Sequence, residues 1–169
     1  MNGTQHYSLG LAVGYMGALT YTDVPIQQAE IILACCAGSL YPDLDNPNSI
    51  LGHILWPVSK IINRISGHRG FFHSLVNVLI SSTLLYFLLS SFGILIPFPI
   101  TCAFFAGFLL HLLQDSFTRM GVPCLWPLKW RLRLSPFASD NTLACWSITI
   151  LIFFLLLTGN YYFIIYGNI

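Results

Sequence analysis

Apolar and polar positions fall along this chain in long blocks. Tyr7 to Thr22 is apolar, glycine-containing and free of charge. Asp23 and Pro25 close that run, and a second apolar stretch covers residues 29–41. Each is shorter than the ~20 residues a full membrane span needs. The pattern therefore predicts two short tilted spans or a helical hairpin entering from one side. Residues 42–73 are polar and amphipathic. Within them Asp43-Leu44-Asp45-Asn46-Pro47 carries turn chemistry, because Asx side chains bond nearby backbone and Pro47 restricts Asn46. From Ile50 to Ile65 apolar residues recur at helical spacing, with Trp56, Lys60 and Arg64 four apart. That spacing predicts a broken helix lying on the headgroups.

Ser74 to about Ile96 is a charge-free run of full spanning length. Pro97 and Pro99 predict a tight turn, and Ile100 to Phe117 spans back. Residues 118–140 form a second polar loop. Inside it Trp126 to Pro136 alternates polar and apolar residues, which suits a short extended segment with Leu132 and Leu134 toward lipid. Lys129, Arg131 and Arg133 then face headgroups, as an anchor on anionic lipid or a device that gathers a lipid substrate. Asp140-Asn141 can cap a last helix from about Leu143 to Ile165, with Tyr161, Tyr162 and Tyr166 in an interfacial belt. The fold class predicted is an all-α integral membrane protein. It has about five membrane-embedded helices, the first two short, plus one interfacial amphipathic helix. Residues 1–169 form a single domain.

Composition sharpens this. Charged residues make up 8% of the chain and hydrophobic ones 56%, against roughly 25% charged in soluble domains. So few charges cannot cover a water-soluble surface. A net charge of +1 gives no basic excess for nucleic acid, which is excluded as a partner; membrane lipids are the expected surroundings. Cys35, Cys36, Cys102, Cys124 and Cys145 show no CxxC spacing and read as small hydrophobes in helices. The N-terminus lacks a basic n-region and reads as mature sequence, not as a signal peptide. Lys60, Arg64 and Arg69 lie in one loop, and Arg119, Lys129, Arg131 and Arg133 in the other. The connections near Asp23 and Pro97 carry no Lys or Arg. The positive-inside rule then places both basic loops and the N-terminus in the cytoplasm, with the C-terminus outside.

The same topology gathers chemistry at one interface. His6 precedes the first apolar segment, Asp43 and Asp45 follow the second, His68 and His73 open the third, and His111 and Asp115 end the fourth. His111 and Asp115 share one helix face at i and i+4. A buried ionisable pair in a span needs partners, so it is either a packed structural pair or part of a metal site. Imidazole with carboxylate suits zinc, manganese or iron. His53 lies apart and reads as a surface histidine. No Gly-x-Ser-x-Gly elbow or Walker loop occurs.

Tyr41-Pro42-Asp43-Leu44-Asp45, Gly67-His68-Arg69-Gly70-Phe71-Phe72-His73-Ser74, His111-Leu112-Leu113-Gln114-Asp115 and Gly121-Val122-Pro123-Cys124-Leu125-Trp126-Pro127 occur in this order. Together they resemble the YdjM-like family of membrane-bound, metal-dependent hydrolases, over about residues 1–136. That family's pattern usually has Thr where this chain has Phe72. The family in turn is distantly similar to zinc-dependent phospholipase C. The resemblance implies metal ligands at His6, Asp43, His68, His73, His111 and Asp115, with Asp45 as a ligand or as a partner of one. Seven such groups exceed the needs of one catalytic zinc, so about one to three divalent ions per chain are expected. Arg69 is a candidate phosphate contact and Asp45 a candidate general base. The implied function is a hydrolase of the inner membrane. It acts at the cytoplasmic interface on a phosphoester of a lipid or lipid-linked molecule. The alternative is a non-catalytic metal-binding or ion-handling membrane protein.

Overall fold

A computed structural model describes residues 1–128, 130–138 and 140–166, with the side chains of 162–166 excepted. Lys129 and the Tyr162 and Tyr166 side chains lie outside the described residues. Seven α-helices are present among those described: α1 (Gly3–Tyr21), α2 (Pro25–Leu40), α3 (Ile50–Ile54), α4 (Trp56–Ser66), α5 (Leu75–Ser91), α6 (Phe98–Ser116) and α7 (Thr142–Tyr166). Two 3₁₀ turns, Tyr41–Asp45 and Phe71–His73, precede α3 and α5. No strand ladder forms among the described residues; the one pairing is an isolated antiparallel bridge between Val122 and Leu132.

The helices start and stop for local reasons. α1 begins at Gly3 because Asn2 and Gln5 form a reciprocal capping box. His6, expected ahead of the first segment, is therefore inside that helix. Pro25 occupies the first turn of α2, where its missing N–H costs nothing. The predicted break in the amphipathic segment falls at Leu55, ahead of Pro57 in the first turn of α4. α5 ends at Ser91 and not near Ile96, because Gly93 takes φ 74 and Ile94 N–H closes back on Leu89 C=O at 3.0 Å.

Two helices, Phe98–Ser116 and Thr142–Tyr161, are long and apolar enough to cross a membrane. That is fewer than the five embedded helices expected. The shortfall has sequence causes: α2 and α5 have 16 and 17 residues, and α1 dilutes its apolar residues with Gly, Thr, Tyr, Gln and His. The exposed face of α7 carries Leu143, Ile150, Leu151, Phe154 and Leu155, an apolar area too extensive for contact with water.

α6 is the centre of the bundle. One cluster joins Leu9, Cys35, Leu110 and Ile152 from α1, α2, α6 and α7. A second joins Val78, Phe108, Leu112 and Val122. Leu132, expected to face lipid, packs against this second cluster because its bridge to Val122 turns it inward; Leu134 is exposed as expected. α2 and α6 meet almost backbone to backbone. A Cβ on Gly38 would come within 2.0 Å of Phe104 O, and one on Gly107 within 2.0 Å of Cys35 O. Only glycine permits that approach, and it brings His111 of α6 to the Ser39 carbonyl of α2. The two polar segments share one end of the bundle. Arg131 Nη2 donates to Arg69 O at 3.1 Å and Leu75 N–H to Cys124 O at 3.0 Å.

Candidate metal centre

The seven groups singled out in the sequence come together. The 3₁₀ turn after α2 buries Asp43 and Asp45. It is pinned by Ser49 Oγ donating to Asp43 O (2.7 Å) and Asn63 Nδ2 donating to Asp45 O (2.7 Å). A tight loop follows α4, with Gly67 at φ 67 and Arg69 at φ 57. A left-handed arginine is strained. It is held by its own N–H, which donates to Asp45 Oδ2 at 3.1 Å. That loop delivers His68, and the next 3₁₀ turn delivers His73. α6 supplies His111 and Asp115, and α1 supplies His6. His53 stays outside the cluster and exposed.

Each histidine is gripped from behind through Nδ1. His111 Nδ1 donates to Ser39 O at 2.7 Å, the bond made possible by the glycine contact between α2 and α6. His73 and His68 bond through Nδ1 to the two oxygens of Asp45, at 2.9 and 2.7 Å. His6 Nδ1 lies 2.9 Å from Gln114 Oε1. The Gln114 amide is itself oriented, because Nε2 donates to Gln5 O (3.3 Å) and Thr149 Oγ1 (2.9 Å). Carbonyl and carboxylate oxygens only accept. The proton of each neutral ring therefore sits on Nδ1, leaving Nε2 as a lone pair. Outer partners of this kind fix tautomer and orientation in metal sites.

The inward atoms then form a pocket of acceptors. His111 Nε2 and His73 Nε2 face each other at 3.3 Å. Asp115 Oδ2 lies 3.7 and 3.6 Å from them, and Asp43 Oδ1 lies 3.9 Å from each. His6 stacks on His111 with centroids 3.7 Å apart. Its Nε2 is buried without a hydrogen bond, 3.4 Å from Asp115 Oδ1. Opposed lone pairs beside carboxylates repel, and a buried acceptor without a donor is costly. A proton shared by His73 and His111 leaves His6 Nε2 unserved, whereas divalent cations satisfy the whole set. Two triads could hold them, His6/His111/Asp115 and Asp43/His68/His73; within each, the ligand atoms lie within 4.8 Å of one another. The donor set, nitrogen with carboxylate oxygen, fits zinc, manganese or iron.

Asp45 occupies the outer position, with both oxygens committed to His68, His73 and the Arg69 N–H. Burial alone raises its carboxyl pKa, but the His68 and His73 hydrogen bonds outweigh that and hold it below the usual carboxylate range. Arg69 is 2% exposed. Its Nη2 lies 2.9 Å from Asp115 Oδ2 and Nη1 donates to Thr118 Oγ1 at 2.6 Å, while Nε has no partner. The guanidinium thus balances Asp115, a role the sequence did not assign. The Met1 amino group lies 2.5 Å from the other Asp115 oxygen. Arg131, expected to face headgroups, instead binds the Arg69 carbonyl. Phe72, at the position where the family pattern usually has Thr, sets its ring 5.9 Å from that of Tyr41. Ser39, Gln114 and Thr118 were missed as supports. Gln114 and Asp115 stand side by side in the motif, but nothing in the chain's order marks a carbonyl on α2 as a histidine's partner.

The sequence model of the family described as "YdjM inner membrane protein" matches residues 1–168. Over 103 residues the chain is 44% identical to proteins named "Inner membrane protein YdjM" from Escherichia coli (strain K12) and Shigella flexneri. That region covers 61% of this chain and 50% of each relative, so the chain spans about half their length. It is also 31% identical over 135 residues to "Uncharacterized protein YvsG" of Bacillus subtilis (strain 168), covering 79% of this chain and 78% of that one. No solved structure matches.

Proposed function

Because the chain belongs to the family of YdjM inner membrane proteins, we propose that it is a multi-pass inner-membrane hydrolase carrying two divalent ions, zinc foremost. The scissile bond is a phosphoester of a lipid or lipid-linked molecule, cut at the cytoplasmic interface. The carrying observation is the convergence of His6, His73 and His111 Nε2 with Asp43 and Asp115, each ring bonded through its outer nitrogen to an acceptor oxygen. The orientation, N-terminus in and C-terminus out, is supported by the clustering of Lys and Arg in the two segments at the metal end.

Bound divalent ions in such a site acidify water and stabilise the charge of an in-line phosphoryl displacement. The chain's own residues do the rest. His6, His111 and Asp115 hold one ion, and Asp43, His68 and His73 the other. Asp45 keeps His68 and His73 in the ligating tautomer. Arg69 offsets the negative charge of Asp115, and its unpartnered Nε leaves one donor for a phosphate oxygen. His68, whose side chain is 33% exposed, marks where a substrate reaches the otherwise buried cluster.

The test is hydrolysis of a chromogenic phosphodiester and of phospholipid vesicles by detergent-purified protein. Turnover lost on chelation and restored by zinc is the expected result. Metal retained with no turnover on any phosphoester removes the hydrolase reading. The full burial of His6, His111 and Asp115 then favours the second reading, a non-catalytic metal-binding or ion-handling protein.

A further inference from the structure

A cavity of ≈ 320 Å³ lies between α2, α5 and α6, walled by Ala34, Leu85, Tyr86, Phe104 and Phe105 and reaching Tyr41. Its size falls at the lower end of ligand sites, roughly 300–1,000 Å³. α5 creates the space. Only Asn77 and Val78 of that helix are buried, both in its first turn, and none of its later residues is.

The wall accepts one kind of occupant. Its Ser and Thr hydroxyls are already spent on backbone: Ser81 Oγ donates to Asn77 O (2.8 Å), Ser82 Oγ to Val78 O (2.6 Å) and Thr101 Oγ1 to Pro97 O (3.5 Å), which leaves the Tyr41 and Tyr86 hydroxyls as the polar groups of an otherwise apolar wall. A peptide or sugar entering here would bury polar groups with only those hydroxyls to bond. Water does not fill apolar cavities of this type. A hydrocarbon chain loses nothing.

The cavity reaches Tyr41, on the same 3₁₀ turn that carries Asp43. The Tyr41 ring packs against Phe72 and Phe104, at 5.9 and 5.6 Å between centroids, and its hydroxyl accepts from Asn77 Nδ2 at 3.4 Å. Tyr41 stands two residues before Asp43, and Phe72 one before His73. A chain whose polar end lies at Tyr41 is directed toward the segments that carry Asp43 and His73, of the triad with an exposed ligand.

We propose that this cavity seats an acyl chain of a membrane phospholipid whose phosphate headgroup reaches the Asp43/His68/His73 triad. The headgroup half rests on the hydrolase reading above; the chain half stands on the cavity alone. The site has the apolar-walled, few-polar-group character of small-molecule sites generally.

The experiment is photolabelling of the full chain in vesicles of phosphatidylethanolamine and phosphatidylglycerol. A trace of the phosphatidylglycerol carries a diazirine at the end of one acyl chain, and zinc content is measured on the same samples. Cross-links should map to the peptides containing Leu85 and Phe104. Ala34→Trp, which fills the cavity from α2, should reduce them to the level of the outward face of α5 with metal content unchanged. Leu85→Trp provides the same test from α5 should the first variant fold poorly. Cross-links spread evenly over the outward faces of α5 and α7 and unaffected by either variant, with metal bound, overturn the proposal and spare the metal reading. Cavity labelling in a protein that holds no metal keeps the chain half and overturns the headgroup half.

Discussion

The His6/His111/Asp115 triad stands on two long helices and is wholly buried, whereas Asp43/His68/His73 comes from 3₁₀ turns and a glycine loop and keeps one side chain 33% exposed. The histidines of the first are held by neutral partners, the Ser39 carbonyl and the Gln114 amide; those of the second are held by one carboxylate, Asp45. Sites on rigid helices are precise, and sites on loops admit ligands. On the function proposed above, the inner triad holds an ion in place and the outer one meets substrate. His111 belongs to both, since its Nε2 faces His73 and Asp43 as well as Asp115.

The contrast breaks most completely at that shared residue. His111→Ala should remove both ions and all turnover. It should also cost about 1–3 kcal/mol in unfolding, because the Ser39 carbonyl loses its buried donor; elemental analysis and a thermal melt read both effects. Asp45→Asn is next. An amide offers one acceptor where the carboxylate offers two, so one of His68 and His73 faces a donor. Affinity for the outer ion should fall about 10–100-fold, with the inner ion retained, as measured by competition with a chelator. His68→Ala should remove the outer ion and turnover, and because it strips the buried Asp45 Oδ1 of its donor it should also cost about 1–3 kcal/mol in unfolding.

Acidification gives the smallest and most graded effect. Imidazole must be deprotonated to bind metal, so ions should leave on acidification. Asp45 acts lower. Its carboxyl is depressed from 3.8, so the stability it adds is fully present above that value and is lost only as pH falls below it, toward the folded pKa. Metal released above about pH 3.8 should therefore leave the Asp45 hydrogen bonds intact. Following metal content and near-UV circular dichroism together separates the two steps; their coincidence would remove the outer role given to Asp45.

Much of this end of the molecule was legible in the chain. Four histidines and three aspartates at segment ends announced a shared location, and the broken amphipathic helix was readable from its period. What was hidden has physical reasons. The start of α1 turned on a two-residue capping box, Asn2 with Gln5, too small to register in an apolar pattern. The grip on His111 comes from a backbone carbonyl brought close by Gly38 and Gly107, and a sequence does not show which glycines face each other. The inward turn of Leu132 and the engagement of Arg131 depend on one bridge to Val122. Fewer helices than the apolar runs suggest are long and apolar enough to cross a membrane, because turns shorten those runs, Gly93 above all.

The central claim is that two metal ions share this cluster, one per triad. Elemental analysis of purified wild type beside His68→Ala and His111→Ala tests it directly. The account predicts about two ions in the wild type, one in His68→Ala and none in His111→Ala, with all three proteins folded. A wild type that holds no metal even after reconstitution with zinc, manganese or iron would contradict it, and the four histidines would then be polar groups that pack the end of a helical bundle.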